Sequence, residues 1–178
     1  MKFFKKRWVA WTLCVLAVLG STLLNTRWKL GAKCEDLTES FYGPEGIAAP
    51  LSQMASDAEN LARLAQDNGV DAKPLQEAAE SLNVLLGQHS ENARMIYANY
   101  DVLREELRSA EQKLLSASLS SGDAAEVSAC LERIRSAGEQ ISASDYNTQV
   151  LAFNRRCDKL FTRLLASLAG LSMPQVFA

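Results

Sequence analysis

"LQEAAESLNVLLGQHSENARMIYANYDVLREELRSAEQKLLSA" runs from Leu75 to Ala117, and its reading decides the fold. Leu75, Ala79, Leu82, Leu86, His89, Ala93, Ile96, Tyr100, Leu103, Leu107, Ala110, Leu114 and Ala117 recur in alternating steps of four and three. That is the heptad spacing of one helix face packed against a partner, as in coiled coils. The pattern predicts one long helix across the whole stretch, with Gly87 as its weak point.

The flanking segments extend the same logic. "SFYGPEGIAAP" (Ser40–Pro50) is a break punctuated by Gly43, Pro44, Gly46 and Pro50. Leu51, Met54, Ala58, Leu61 and Ala65 then predict a short helix from about residue 51 to Asp67. Gly69 suits a left-handed helix end, Asp71 an N-cap and Pro74 a first turn. Beyond the long helix, "SLSSGDAAE" (Ser118–Glu126) reads as a tight turn with Asp123 as N-cap. A second long helix is expected from about 124 to 168. Its seam passes Val127, Leu131, Ile134 and Ile141, then shifts by one residue near Asp145 to Tyr146, Val150, Phe153, Cys157, Leu160, Leu164 and Leu168. The two long helices are expected to pair as an antiparallel hairpin through the Ser120–Asp123 turn. Few glycines and prolines, and no alternating Val, Ile and Thr runs, point to an all-α chain.

Charge is unevenly distributed. Of 19 Lys and Arg, 7 precede Cys34 with no acid among them; the other 12 face all 21 acids, so the remainder carries −9. A body this acidic does not suit nucleic acid. The basic start instead flanks an apolar run, "WVAWTLCVLAVLGSTLLNT" (Trp8–Thr26), with Trp8 opening it and Trp28 just beyond its far end. Its length approaches the roughly 20 residues of a membrane span. The expected division is a basic flank (1–7), a transmembrane anchor (8–26) and a helical-bundle domain (27–178). The alternative is a signal peptide cleaved after Gly20, which would release a secreted bundle. Lys2, Lys5, Lys6 and Arg7 before the span outnumber Arg27, Lys29 and Lys33 after it. The positive-inside rule therefore favours the bundle on the extracytoplasmic side.

"DYNTQVLAFNRR" (Asp145–Arg156) places an asparagine after an aromatic twice, at Tyr146–Asn147 and Phe153–Asn154. Asparagine is a poor helix former, since its side chain competes for local backbone groups. Tyr146 and Phe153 belong to one core stripe. Asn147 and Asn154, one position round, are placed to fix the register of a neighbouring helix by hydrogen bonds, or to face water at the stripe's edge.

At these residues the chain resembles the LemA family of membrane-anchored helical proteins. Tyr146, Asn147, Val150, Phe153, Asn154, Gly170, Pro174 and Phe177 follow the family's order of Tyr-Asn, small apolar, aromatic-Asn, Gly, Pro and aromatic. A second patch, "FYGPEGIAAPLSQMASDAENL", matches at Phe41, Tyr42, Gly43, Gly46, Ile47, Leu51, Ala58, Asn60 and Leu61. Two departures mark a divergent branch. Lys159, Leu160 and Phe161 stand where the family has Ser-Phe-Pro, and "DAKP" (Asp71–Pro74) is at best a remnant of its paired arginines before Asp-Leu-x-Pro. The resemblance implies one transmembrane helix followed by an antiparallel, elongated four-helix bundle. It implies no enzymatic activity.

The residues themselves supply no catalytic constellation. His89 is the sole histidine, and no convergent ligand set accompanies it, so no metal is expected. A hydrogen-bonded histidine at or near the core is the expectation. Cys14, Cys34, Cys130 and Cys157 form no Cys-x-x-Cys pair. Within one helix, 27 residues separate Cys130 from Cys157 by about 40 Å, which rules out a bridge. Nucleophile-elbow and glycine-rich phosphate motifs are missing. Arg155, Arg156, Lys159 and Arg163 border an apolar face of Leu160, Phe161, Leu164, Leu165, Leu168 and Leu171. Such a segment suits an anionic membrane surface, or bundle core with cations near a helix end. The sequence thus points to a non-enzymatic single-pass membrane protein that binds a protein partner or itself, with no cofactor and no small-molecule substrate. A membrane hydrolase or metalloenzyme is the contrasting reading, and the missing motifs oppose it.

Overall fold

The computed structural model describes residues 2–90, 92–158 and 174–178, with the backbone alone for 2–7. The described chain is all-helical and has no strand. Its helices are α1 (Lys2–Tyr42), α2 (Ala48–Asp67), α3 (Lys73–Gly87), α4 (Ala93–Ser116), α5 (Ser121–Ala143) and α6 (Tyr146–Cys157). The chain divides into two compact units. One holds Met1–Asp36 and Ala152–Pro174; the other holds Leu37–Leu151 and Gln175–Ala178.

In the larger unit α2 is the central element, touching α3, α4 and α5. Its sequence explains why. Ala55, Ala58, Ala62 and Ala65 are fully buried beside Leu51 and Leu61. Small residues let neighbouring helices approach closely, and the leucines fill the space between them. Burying a leucine contributes about 1.5–3 kcal/mol. α3 and α5 both run antiparallel to α2. Glu59 accepts from Asn83 at 2.7 Å and Gln66 donates to Gln76 at 3.1 Å, which sets α3 against α2. Asp57 meets Arg133 at 2.8 Å and Met54 touches the Gly138 position, which sets α5 against α2.

The expected long helix over 75–117 is interrupted. α3 ends at Gly87 and α4 begins at Ala93. Ser90 N–H donates to Leu85 O at 3.3 Å and His89 N–H to Leu86 O at 3.0 Å. This is a Schellman end with His89 in the left-handed region at φ 48°. Asn92 then caps α4, its side chain accepting from Met95 N–H at 3.0 Å. The seam survives the break because Leu86 and Ala93, both buried, remain seven residues apart. Heptad phase alone does not reveal a turn that preserves it. His89 is accordingly exposed rather than a member of a core seam.

The second long helix is also divided. α5 stops at Ala143, and Ser144 Oγ accepts from Tyr146 N–H at 3.2 Å as α6 begins. The one-residue seam shift near Asp145 thus marks a helix end, not a change of partner along one helix. Nor does α5 pair with α4 as a hairpin: it lies against α2. An open groove of about 710 Å³ remains where α4 and α5 diverge, bordered by Met54, Arg104, Leu107, Ile134, Arg135 and Gly138. The N-cap of α5 is Ser120, three residues before the expected Asp123. Ser120 Oγ accepts from Asp123 N–H at 3.2 Å and donates to the Asp123 carboxylate at 2.7 Å. The expected Gly69 helix end is present, at φ 74°. Asp71 takes Lys73 N–H at 3.2 Å, one residue ahead of the α3 N-cap at Ala72.

In the smaller unit α1 carries the apolar run. The helix is long and apolar enough to cross a membrane, a property that a signal sequence shares. Trp8 and Leu24 are each 72% exposed. In the same unit Phe153 and Cys157 are buried.

Candidate functional site

Two of the sequence patches meet inside the larger unit. α1 ends in Phe41 and Tyr42, and the chain then turns through Gly43 and Gly46. Gly43 N–H donates to Glu39 O at 2.6 Å and Gly46 N–H to Gly43 O at 2.9 Å. A Cβ on Gly43 would collide with Glu39 O, and one on Gly46 with Phe41 O. The turn is therefore too tight for any side chain at either position. It holds Phe41 inward, 3% exposed, with its ring edge-on to Tyr146 at 5.0 Å. Tyr42 donates its hydroxyl to Ser90 O at 2.7 Å and lies 4.9 Å from the His89 ring.

Tyr146 and Asn147 open α6 and face the non-helical segment Gln175–Ala178. Asn147 Oδ1 accepts from Phe177 N–H at 2.7 Å, and Asn147 Nδ2 donates to Phe177 O at 2.7 Å. Tyr146 Oη donates to Gln175 O at 2.9 Å. Phe177, 5% exposed, enters a box of rings. Tyr97 stands edge-on at 5.1 Å and 89°, Tyr100 is at 5.6 Å and Phe41 at 6.0 Å. The Arg104 guanidinium lies 5.6 Å from the Tyr100 ring centroid. Edge-to-face packing aligns the positive ring edge with a negative ring face and contributes about 0.5–1.5 kcal/mol per pair beyond burial.

Burial pushes the Tyr146 phenol up to about 12, with the neighbouring Tyr42 adding to the shift. Burial likewise raises Tyr100, and nearby Arg104 partly opposes it. These groups are held as neutral hydrogen-bonding and packing residues.

In the smaller unit Asn154 Nδ2 donates to Pro174 O at 3.1 Å, while its Oδ1 is buried without a hydrogen-bond partner. Among the described residues, both asparagines therefore bond main-chain atoms of a non-helical segment, not a neighbouring helix.

Of the remaining expected residues, Val150 and Phe153 are buried and Pro174 is half-buried. Arg155 and Arg156 are exposed in the last turn of α6. Lys159, Arg163 and the apolar residues expected beside them lie outside the described residues. Cys130 and Cys157 are buried free thiols on separate helices, and burial raises both. No group of His, Cys, Asp or Glu among the described residues is arranged to hold a metal ion.

Two features have little sequence signal. Tyr97 lies off the seam, although its spacing to Tyr100 is a helical neighbour step. Asp57 is 3% exposed on α2, and its carboxylate bonds Arg133 Nε and Gln53 Nε2, each at 2.8 Å. Arg133 Nη2 also reaches Cys130 Sγ at 3.1 Å. An acid one position from the apolar stripe carries little signal until its partner on α5 is known.

No protein-family model, curated protein or solved structure matches the chain.

Proposed function

We propose that this chain is a non-enzymatic, single-pass membrane protein of LemA type. It displays an antiparallel four-helix bundle, α2 to α5, as a scaffold or partner-binding module. The observation that carries the reading is the exposure of α1. Trp8, Trp11, Leu16 and Leu24 stand open on a helix whose later residues Leu37 and Phe41 are buried. So large an apolar surface needs cover, and a bilayer suits an uncharged run bounded by tryptophans and cations. The charge balance across the span favours the bundle on the extracytoplasmic side. Arg155 and Arg156, exposed in the last turn of α6, suit contact with anionic headgroups.

The test is alkaline carbonate extraction of membranes containing the full chain, followed by peptide mapping of its N-terminal residues. The expected result is a pelleted protein that retains residues 1–20. Release into the supernatant without them would replace this reading with the secreted bundle. Affinity purification of the solubilised chain then asks which protein accompanies it in near-equal amount.

A further inference from the structure

We propose that Tyr146, Asn147 and the ring box of Phe41, Tyr97 and Tyr100 form an exchangeable peptide-recognition site. Its resident ligand is the chain's own Gln175–Phe177. Its other ligand is an extended segment of a second polypeptide carrying a phenylalanine with an apolar residue two positions before it. The site and ligand class deepen the partner-binding reading above and rest on it.

The chemistry of the contacts supports exchange. The side chains of Tyr146 and Asn147 meet the segment through its main-chain atoms, the C=O of residue 175 and the N–H and C=O of residue 177. In an extended chain, residues two apart present these groups along one edge. The Asn147 carboxamide, with one acceptor and one donor side by side, takes the place of a neighbouring strand's peptide group. This is the logic of strand addition, in which main-chain bonds give affinity and pockets for alternate side chains give specificity. One side chain is read, by the ring box around Phe177.

The resident segment fits imperfectly. Gln175 Oε1 is buried without a hydrogen-bond partner. A buried acceptor left unsatisfied loses its hydration with no return, and an apolar side chain escapes that loss. A competitor with leucine at this position therefore binds better than the native segment, by roughly tenfold.

The experiment uses the full chain in detergent and end-blocked, fluorescein-labelled peptides. The probes are Pro-Leu-Val-Phe-Ala, the native Pro-Gln-Val-Phe-Ala, and Pro-Leu-Val-Ala-Ala. Phe177→Ala in the full chain removes the resident ring, keeps Tyr146 and Asn147, and leaves only the resident main chain to compete with the peptide. Fluorescence anisotropy should show saturable binding of the Leu peptide to this variant, roughly tenfold weaker binding of the Gln peptide, and none of the peptide lacking phenylalanine. Adding Asn147→Ala should abolish binding. No saturable binding to a variant with an unchanged helical circular dichroism spectrum overturns the proposal, as does equal binding of the peptide without phenylalanine. Should Phe177→Ala fail to fold, hydrogen exchange on the wild-type chain decides. Millimolar Leu peptide should speed exchange of the Phe177 amide, and an unchanged rate overturns the proposal. Because the chain is already solubilised, these results are independent of whether α1 spans a membrane.

Discussion

Asn147 holds both main-chain polar groups of Phe177, at 2.7 Å each, through the two ends of one carboxamide. The residue that interrupts helix propensity thus ties residues far apart in sequence into one core. Asn147→Ala should cost about 1–3 kcal/mol, since it strips partners from a buried N–H and C=O. Asn147→Asp should cost at least as much, because a carboxylate oxygen then opposes the Phe177 carbonyl. Among the described residues Asn154 donates to Pro174 O at 3.1 Å, and its Oδ1 is unpartnered, so Asn154→Ala should cost less. Denaturant unfolding of the three variants checks the order. Equal losses at 147 and 154 would contradict it.

The turn after Phe41 gives a second expectation. Ala at Gly43 or Gly46 would place a Cβ against main-chain oxygen, which moves only with the backbone. Each substitution should lower stability by more than about 2 kcal/mol and disturb the Phe41–Tyr146 ring pair. The opposite holds at His89, whose φ of 48° a Cβ residue adopts at a cost. His89→Gly should be more stable than His89→Ala by about 1 kcal/mol, as both lose the ring contact with Tyr42 but only glycine relaxes the backbone. Thermal melts of the pair suffice.

These positions show what the sequence made legible. The apolar run from Trp8, the helical class, the break at Gly43 and the Gly69 helix end are local signals, and each is present in the fold. The rest was hidden either by the heptad phase or by distance along the chain. The Leu86–Ala93 step hid a turn because its length equals one heptad. The pairing of α5 with α2 depends on which small-residue face is available, and α2 offers four fully buried alanines. Asn147 stood out as anomalous, but a non-helical segment 30 residues away could not be named as its partner.

Alkaline pH should probe the site selectively. The Tyr146 phenol ionises near 10 when unfolded and at about 12 in the fold. Folding thus favours the protonated form. Its contribution is complete below pH 10 and is lost as pH rises toward 12, because the unfolded chain releases the proton first. Two pH units at about 1.36 kcal/mol each predict a loss of roughly 2–3 kcal/mol across this window. Ultraviolet difference titration should show one late-ionising tyrosine missing in Tyr146→Phe. Stability of that variant should fall less steeply between pH 10 and 12 than wild type; an unchanged slope would place the alkaline sensitivity elsewhere.

The Asp57–Arg133 pair tests what sets α5 on α2. Asp57 is buried and held by both Arg133 and Gln53, whereas the Arg133 side chain is 50% exposed. A buried carboxylate is costly when its partner is removed, and a matched apolar pair is often at least as stable as the ions it replaces. Arg133→Met should therefore destabilise more than the double variant Asp57→Leu with Arg133→Met. The double variant should match or exceed wild type in urea midpoint if the pair contributes only stability. If it instead specifies which face of α5 meets α2, the double variant should stay helical but lose the sharp, cooperative transition of the wild type. The urea midpoint and the steepness of the curve separate the two roles, since a change in midpoint alone reports stability and a change in slope reports a different packed state.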